Sequence, residues 1–136
     1  MDWMLMPLRR YAEFSGRSRR REYWMFALFN LLVSLFIGLV ALILYTLDWS
    51  EEAMMTVMGP LMVAGVIYSV IAFIPGIAVT IRRLHDTDRS GWNILWGLVP
   101  AIGTFILLYF YVSEGTPGPN RFGADPKGRA DAAAFA

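Results

Sequence analysis

The stretch YWMFALFNLLVSLFIGLVALILYTL, residues 23–47, decides the fold, because it carries no charge and consists almost entirely of apolar and aromatic side chains. A helix rises about 1.5 Å per residue, so roughly 20 apolar residues cross a hydrocarbon core about 30 Å thick. Residues 54–81 and 92–112 form two more uncharged stretches of sufficient length. Lipid offers backbone groups no hydrogen-bond partner, which favours helices. The sequence therefore predicts an all-α membrane protein with three transmembrane helices.

The composition indicates the same class of protein. Hydrophobic residues make up 57% of the 136-residue chain and charged residues 17%, against about 25% charged in a typical soluble domain. The 12 basic and 11 acidic residues nearly cancel, which removes the positive field expected of a nucleic-acid-binding protein. The chain has no cysteine and a single histidine, so it offers few metal ligands. We expect one membrane domain over residues 1–126, with no nucleic-acid partner, no metal and no cofactor.

Charged residues flank the apolar stretches asymmetrically. The loop between the first two stretches contains Asp48, Glu51 and Glu52 and no basic residue. Basic residues precede the first stretch and follow the second, namely Arg9, Arg10, Arg17, Arg19, Arg20, Arg21, Arg82, Arg83 and Arg89. Basic loops remain in the cytoplasm. The sequence therefore predicts a multi-pass protein with a cytoplasmic N-terminus and a cytoplasmic loop over residues 82–91.

The third stretch is interrupted. Pro100 and Gly103 divide it into two pieces, each too short to span a bilayer alone. We favour a kinked helix that crosses completely and places the following tail outside. The alternative is a re-entrant hairpin that returns to the side from which it entered.

Small and polar residues within the stretches predict how the helices pack, because helices associate in lipid through close backbone approach and hydrogen bonds. Asn30 is the most polar residue in the three stretches, and we expect it to make an interhelical hydrogen bond; a transport path is the alternative. The residues expected at the helix contacts are Asn30, Ser34, Gly38, Gly65, Ser69, Ala72, Gly76, Thr80, Gly97, Ala101 and Thr104.

Three polar motifs lie at the ends of the apolar stretches. The N-terminal motif, FSGRSRRREYW, covers residues 14–24. The loop motif, RRLHDTDRSGW, covers residues 82–92, and the tail motif, GTPGPNRFGADP, covers residues 115–126. These motifs carry nearly all the information that hydropathy does not.

Together the motifs resemble those of a family of small bacterial inner-membrane proteins called domain of unknown function 805. The resemblance covers residues 10–126 and implies a location in the inner membrane, but no assigned activity. Its matching positions include Gly16, Arg17, Arg20, Glu22, Trp24, Arg82, Arg83, His85, Asp86, Arg89, Ser90, Gly91, Trp92, Asn120, Arg121, Gly123, Asp125 and Pro126. The last residues, 127–136, lie outside the resemblance and are predicted to be a disordered extension.

Much of the loop motif has an ordinary structural interpretation. Arg82 and Arg83 suit the negative end of a helix dipole and can reach lipid phosphates. Ser90 can cap the next helix, Gly91 eases the turn, and Trp92 suits the interface. His85 and Asp86 are harder to assign, because an imidazole beside a carboxylate could act as an acid–base pair.

The N-terminal motif predicts a basic collar that attracts anionic lipids. A short interfacial helix starting near Pro7 is expected before it. We further hypothesise that Arg17, Arg20 and Glu22 pair with Arg82, Asp86 and their neighbours in a polar cap.

The preferred function is a small scaffold or regulatory subunit that displays basic charge to anionic headgroups or to another membrane protein. The alternative is a membrane enzyme or transporter for a lipid-like or small polar substrate, centred on His85 and Asp86.

Overall fold

The computed structural model describes residues 2–47 and 49–128. Its elements are α1 (Asp2–Arg9), α2 (Arg20–Thr46), α3 (Glu51–Asp86), a 3₁₀ helix (Gly91–Leu98) and α4 (Ile102–Val112). Across the described ranges, the single β-type pairing is an isolated bridge between Asn120 and Gly123. The predicted all-α class is confirmed. The predicted C-terminal extension lies outside the described residues from position 129 onward.

Helices α2 and α3 are long and apolar enough to cross a membrane. Their side chains also face outward: Leu35, Phe36 and Tyr45 of α2 leave 59%, 68% and 72% of their surface exposed. A helix in the core of a soluble protein would bury such residues. Hydrocarbon is therefore the surrounding that suits α2.

Helix α3 extends further than its apolar stretch. It begins after Ser50, whose hydroxyl accepts a hydrogen bond from the Ala53 amide, and it ends at Asp86. The predicted loop over residues 82–91 is therefore wrong in its first half, since residues 82–86 are helical. Basic side chains in this last turn complement the helix dipole, and Arg83 forms an i,i+3 ion pair with Asp86.

The third predicted span is not one helix. The chain turns at Pro100, where Val99 is extended, as expected of a residue before proline. Ala101 has φ +60°, and the Ile102 amide donates to the Pro100 carbonyl at 2.7 Å, which makes a rare positive-φ γ-turn. The favoured kinked crossing is therefore wrong, and residues 91–112 form a helical hairpin.

Both ends of this hairpin lie at the same end of α3. The 3₁₀ helix follows directly after α3, and the Tyr111 carbonyl near the end of α4 accepts hydrogen bonds from Trp24 at 3.3 Å and Arg83 at 3.2 Å. Leu84, Leu107 and Phe110 form a small buried cluster beneath these contacts. The tail that follows α4 consequently starts next to the other two motifs.

Contacts between α2 and α3 agree only in part with the predicted seams. Asn30 accepts a hydrogen bond from the Tyr68 hydroxyl at 2.9 Å, which confirms the interhelical bond. Gly38 and Gly65, however, line a cavity of about 650 Å³, and a Cβ at either would meet nothing within 4 Å. The predicted close approach at these two glycines is wrong, because bulky neighbours such as Leu61 line the same space.

The N-terminal helix also differs from its prediction. Helix α1 begins at Asp2 rather than near Pro7, and Pro7 is buried inside it. Tyr11 and Phe14 follow the helix and are exposed. The helix differs from its prediction because α1 packs against α2 and α3, and these contacts are not visible in the local sequence.

The polar cap as a candidate functional site

The three motifs converge where α2 begins and α3 ends. Their buried charged residues form a compact group, called the polar cap here, that consists of Arg17, Glu22, Arg82, Arg83, Asp86 and Asp125. Arg82 and Arg83 are both 0% exposed. A buried charge is tolerated only when it is paired and hydrogen-bonded. Three arginines and three carboxylates give the polar cap a formal charge of zero.

Asp86 joins all three motifs. One carboxylate oxygen accepts from Arg17 Nε at 3.0 Å and the other from Arg83 Nη1 at 2.5 Å. Its main-chain carbonyl accepts from the Thr116 amide at 2.8 Å. A Cβ at Gly115 would overlap the Asp86 carboxylate, which explains a glycine at this position of the tail motif.

Arg82 links the end of α3 to the N-terminal region. Its Nη2 donates to Glu22 Oε1 at 3.0 Å, and its Nη1 donates to the carbonyls of Arg10, at 3.3 Å, and Glu13. Arg10 also hydrogen-bonds to the Glu13 side chain, which lowers the pKa of that carboxyl below its ordinary value. The hypothesised partners of Arg82 therefore include Glu22, as expected, and two backbone carbonyls that were not expected.

Arg17 and Asn120 hold the tail motif in place. Arg17 donates to the carbonyls of Gly118, at 2.7 Å, and Thr116, at 2.6 Å. Asn120 Nδ2 donates to the His85 carbonyl at 2.9 Å. Asp125 accepts from the Gly118 amide at 3.3 Å and so closes the turn of the tail. The tail motif thus folds onto the loop motif and the N-terminal motif.

His85 and Asp86 do not form a dyad. The His85 Nδ1 atom lies 3.1 Å from the Gly16 carbonyl, and its ring stacks on Phe122 with centroids 3.9 Å apart. Asp86 instead binds arginines. Nowhere in residues 2–47 and 49–128 do three His, Cys, Asp or Glu side chains gather in a group that could hold a metal ion.

Several predicted site residues surround the polar cap without joining its buried group. Arg20 donates to the Val112 carbonyl at 2.8 Å and to Glu114 at 3.2 Å, so its hypothesised pairing with the Asp86 group is wrong. The Arg89 Cζ atom lies 4.0 Å from the Phe110 ring centroid. At the surface, Arg121 Nε lies 3.3 Å from Asp88 Oδ1. These arginines remain at least partly exposed.

The other predicted residues shape the chain. Ser90 caps the 3₁₀ helix by accepting from the Trp92 amide at 3.4 Å, and Gly91 packs close to Ile81. Trp92 and Trp24 are exposed. Gly123 has φ +134° within the bridge to Asn120, and the Pro126 carbonyl accepts from Arg19.

Sequence reasoning missed some contributors. Thr116 lies inside the tail motif, so its position could have indicated a role. Phe122 is one of the tail positions that carry the family resemblance, but nothing in the sequence indicated that its ring stacks on His85. Arg10 and Glu13 bind Arg82 through their carbonyls, which any residue type supplies, so no pattern of side chains could have identified them.

The chain matches a known protein family over most of its length. The family model described as "Protein of unknown function (DUF805)" matches residues 11–124, which include nearly all of the three motifs. The chain belongs to this family. The resemblance expected from the motifs is confirmed.

Two relatives from Escherichia coli (strain K12) are similar over almost their whole length. "Inner membrane protein YhaH" is 45% identical over 127 residues, which cover 93% of this chain and 98% of the relative. "Inner membrane protein YhaI" is 46% identical over 128 residues, which cover 93% and 97% respectively. No solved structure matches the chain. The names of these relatives and the apolar α2 and α3 agree with an inner-membrane protein of the DUF805 family.

Proposed function

We propose that this DUF805 protein is a non-enzymatic scaffold or regulatory subunit of the bacterial inner membrane, which presents a basic face to anionic headgroups or to another membrane protein. One observation carries the proposal. Five of the six buried ionisable groups of the polar cap are paired with one another, whereas several arginines around it remain exposed.

The bonding within the polar cap argues against catalysis. Asp86 is 3% exposed and its two carboxylate oxygens each accept from an arginine. With both oxygens held by buried arginines, this carboxylate neutralises their charge and holds the motifs together. The enzyme or transporter centred on His85 and Asp86 is therefore the weaker candidate. If Asp86 were catalytic, Asp86→Asn would abolish activity in a protein that remains folded.

The proposed orientation puts the polar cap in the cytoplasm. With α2 and α3 as the two crossings and residues 91–112 as a hairpin, every Lys and Arg of the described residues lies on the side of the polar cap. The first turn of α3 carries Glu51 and Glu52, and the connection between α2 and α3 has no described basic residue. Retention of basic segments on the inner side supports a cytoplasmic N-terminus and a cytoplasmic tail motif.

The exposed arginines supply the binding surface. They surround the polar cap and include Arg9, Arg21, Arg89 and Arg121. Guanidinium groups bind phosphate oxygens in bidentate geometry, and basic residues close to an anionic leaflet are attracted to it.

Lipids that co-purify with the protein test this proposal. The protein is extracted from native membranes in mild detergent after crosslinking, and its bound lipids and proteins are analysed by mass spectrometry. We expect anionic phospholipids to be enriched over the bulk membrane. A variant with glutamine at Arg9, Arg21, Arg89 and Arg121 should lose the enrichment, whereas Glu51→Gln with Glu52→Gln should keep it. Lipids of bulk composition together with no crosslinked partner would contradict the proposal.

A further inference from the structure

We infer that the cleft between the first turn of α2 and the last turn of α4 binds the phosphate headgroup of one anionic phospholipid. The inference rests on the proposed function and assigns it a specific site. The cleft has a volume of about 300 Å³ and is lined by Arg20, Arg21, Trp24, Met25 and Val112.

The lining changes from charged to apolar in the direction that suits a lipid. Arg20 and Arg21 line the cleft at the start of α2, where the chain leaves the polar cap, and the Arg20 guanidinium reaches the Val112 carbonyl. Met25 lies about one turn further into the apolar part of the helix. A phosphate at the arginines would therefore direct its acyl chains along Met25 and Val112, while the exposed Trp24 occupies the headgroup level.

Stability of α2 does not explain the arginines of the cleft. Positive charge is unfavourable at a helix N-terminus, where the dipole favours anions, and the side chain of the N-cap residue Arg19 makes no capping bond. Arg20 has a structural role, because it donates to the terminal Val112 carbonyl of α4. Arg21 is exposed, and its guanidinium lies 5.7 Å from the Trp3 ring.

The charge around the cleft is net positive. Glu114 is the acidic side chain paired with Arg20, and it also pairs with Lys127. The positive charge of Arg21 therefore adds to a group in which basic residues already outnumber Glu114. An anionic phosphodiester complements this charge, whereas a zwitterionic headgroup brings its own cation.

Native mass spectrometry of the purified full chain tests the site. The protein is titrated with phosphatidylglycerol, phosphatidylcholine or inorganic phosphate, and retained adducts are counted. We expect one retained phosphatidylglycerol in the unaltered protein and about fivefold weaker retention in Arg21→Gln, the effect of one arginine charge near an anionic surface. Glu51→Gln is the control, since it removes an exposed charge at the opposite end of the molecule, and it should retain the lipid.

Each outcome supports or overturns the site. Equal retention in Arg21→Gln and the unaltered protein would overturn the cleft while leaving the proposed function intact. No preference for phosphatidylglycerol over phosphatidylcholine in any variant would overturn the cleft and would also remove anionic lipid from the proposed function, leaving a membrane protein as the partner. Displacement of the lipid by inorganic phosphate at comparable concentration would reject a lipid as the ligand. The double variant Arg20→Gln with Arg21→Gln should weaken retention further, and circular dichroism checks its folding; Arg21→Gln decides if the double variant unfolds.

Discussion

Asp86 and Glu22 are the residues on which the polar cap depends most. Asp86 neutralises Arg17 and Arg83, and Glu22 neutralises Arg82, all of them buried. The sequence motifs predicted these acidic residues as partners of arginines in a polar cap. The motifs did not predict that Arg82 and Arg83 are buried, since both were expected to reach lipid phosphates. They did not predict the bonds that arginines make to main-chain carbonyls, because a carbonyl leaves no signature in the residue type.

Removal of the Asp86 charge should destabilise the protein strongly. Asp86→Asn leaves Arg17 and Arg83 without their carboxylate, and breaking a buried ion pair costs about 3–5 kcal/mol. Asp88→Asn is the control, because the Asp88–Arg121 pair is exposed and such pairs contribute about 0–1 kcal/mol. Denaturant titration in detergent measures both. A similar loss of stability in the two variants would contradict the buried pairing.

Glu22 and Arg82 should be energetically coupled. A double-mutant cycle with Glu22→Gln and Arg82→Gln should give a coupling free energy of about 1–3 kcal/mol, since the two side chains lie 3.0 Å apart and are buried. Arg82 also binds two carbonyls, so the double variant should remain less stable than Glu22→Gln alone. Simple additivity of the two single effects would show that the ion pair does not form.

The hairpin of residues 91–112 is the element that brings the motifs together. Pro100 and Gly103 indicated from the sequence that the third stretch breaks. They could not indicate its direction, because the return depends on bonds from Arg20, Arg83 and Trp24 to the end of α4. Those residues lie far away in sequence, and a pattern within one apolar stretch carries no information about them.

Gly103 should be essential to the hairpin. A Cβ at this position would overlap the Trp96 main-chain carbonyl, which cannot move without unwinding the 3₁₀ helix. Gly103→Ala should therefore lower the free energy of unfolding by about 3 kcal/mol or more. In Gly97→Ala the added Cβ would lie 3.5 Å from Leu107, an ordinary contact, so this control should change stability little. Thermal unfolding of the two variants in detergent measures the difference, and equal melting temperatures would mean that the turn is not packed in this way.

At the scale of the whole molecule, two apolar helices and one hairpin leave the N-terminal motif and the tail motif together in the polar cap. Apolar length in the sequence correctly predicted the two long helices α2 and α3. Hydropathy alone could not show that the third apolar stretch folds back to the end of α3 from which it starts. The opposite end of the molecule carries the acidic residues Glu51 and Glu52. All described basic residues therefore lie at one end of the molecule.

Cysteine accessibility tests this arrangement directly, because the native chain contains no cysteine. Single cysteines replace the exposed residues Ser15, Ser50 and Ala124, and spheroplasts are treated with a membrane-impermeant maleimide. We predict that Ser50→Cys is labelled in intact spheroplasts, whereas Ser15→Cys and Ala124→Cys are labelled only after the membrane is permeabilised. Labelling of Ala124→Cys together with Ser50→Cys in intact spheroplasts would mean that the third stretch crosses completely and that the three motifs do not meet.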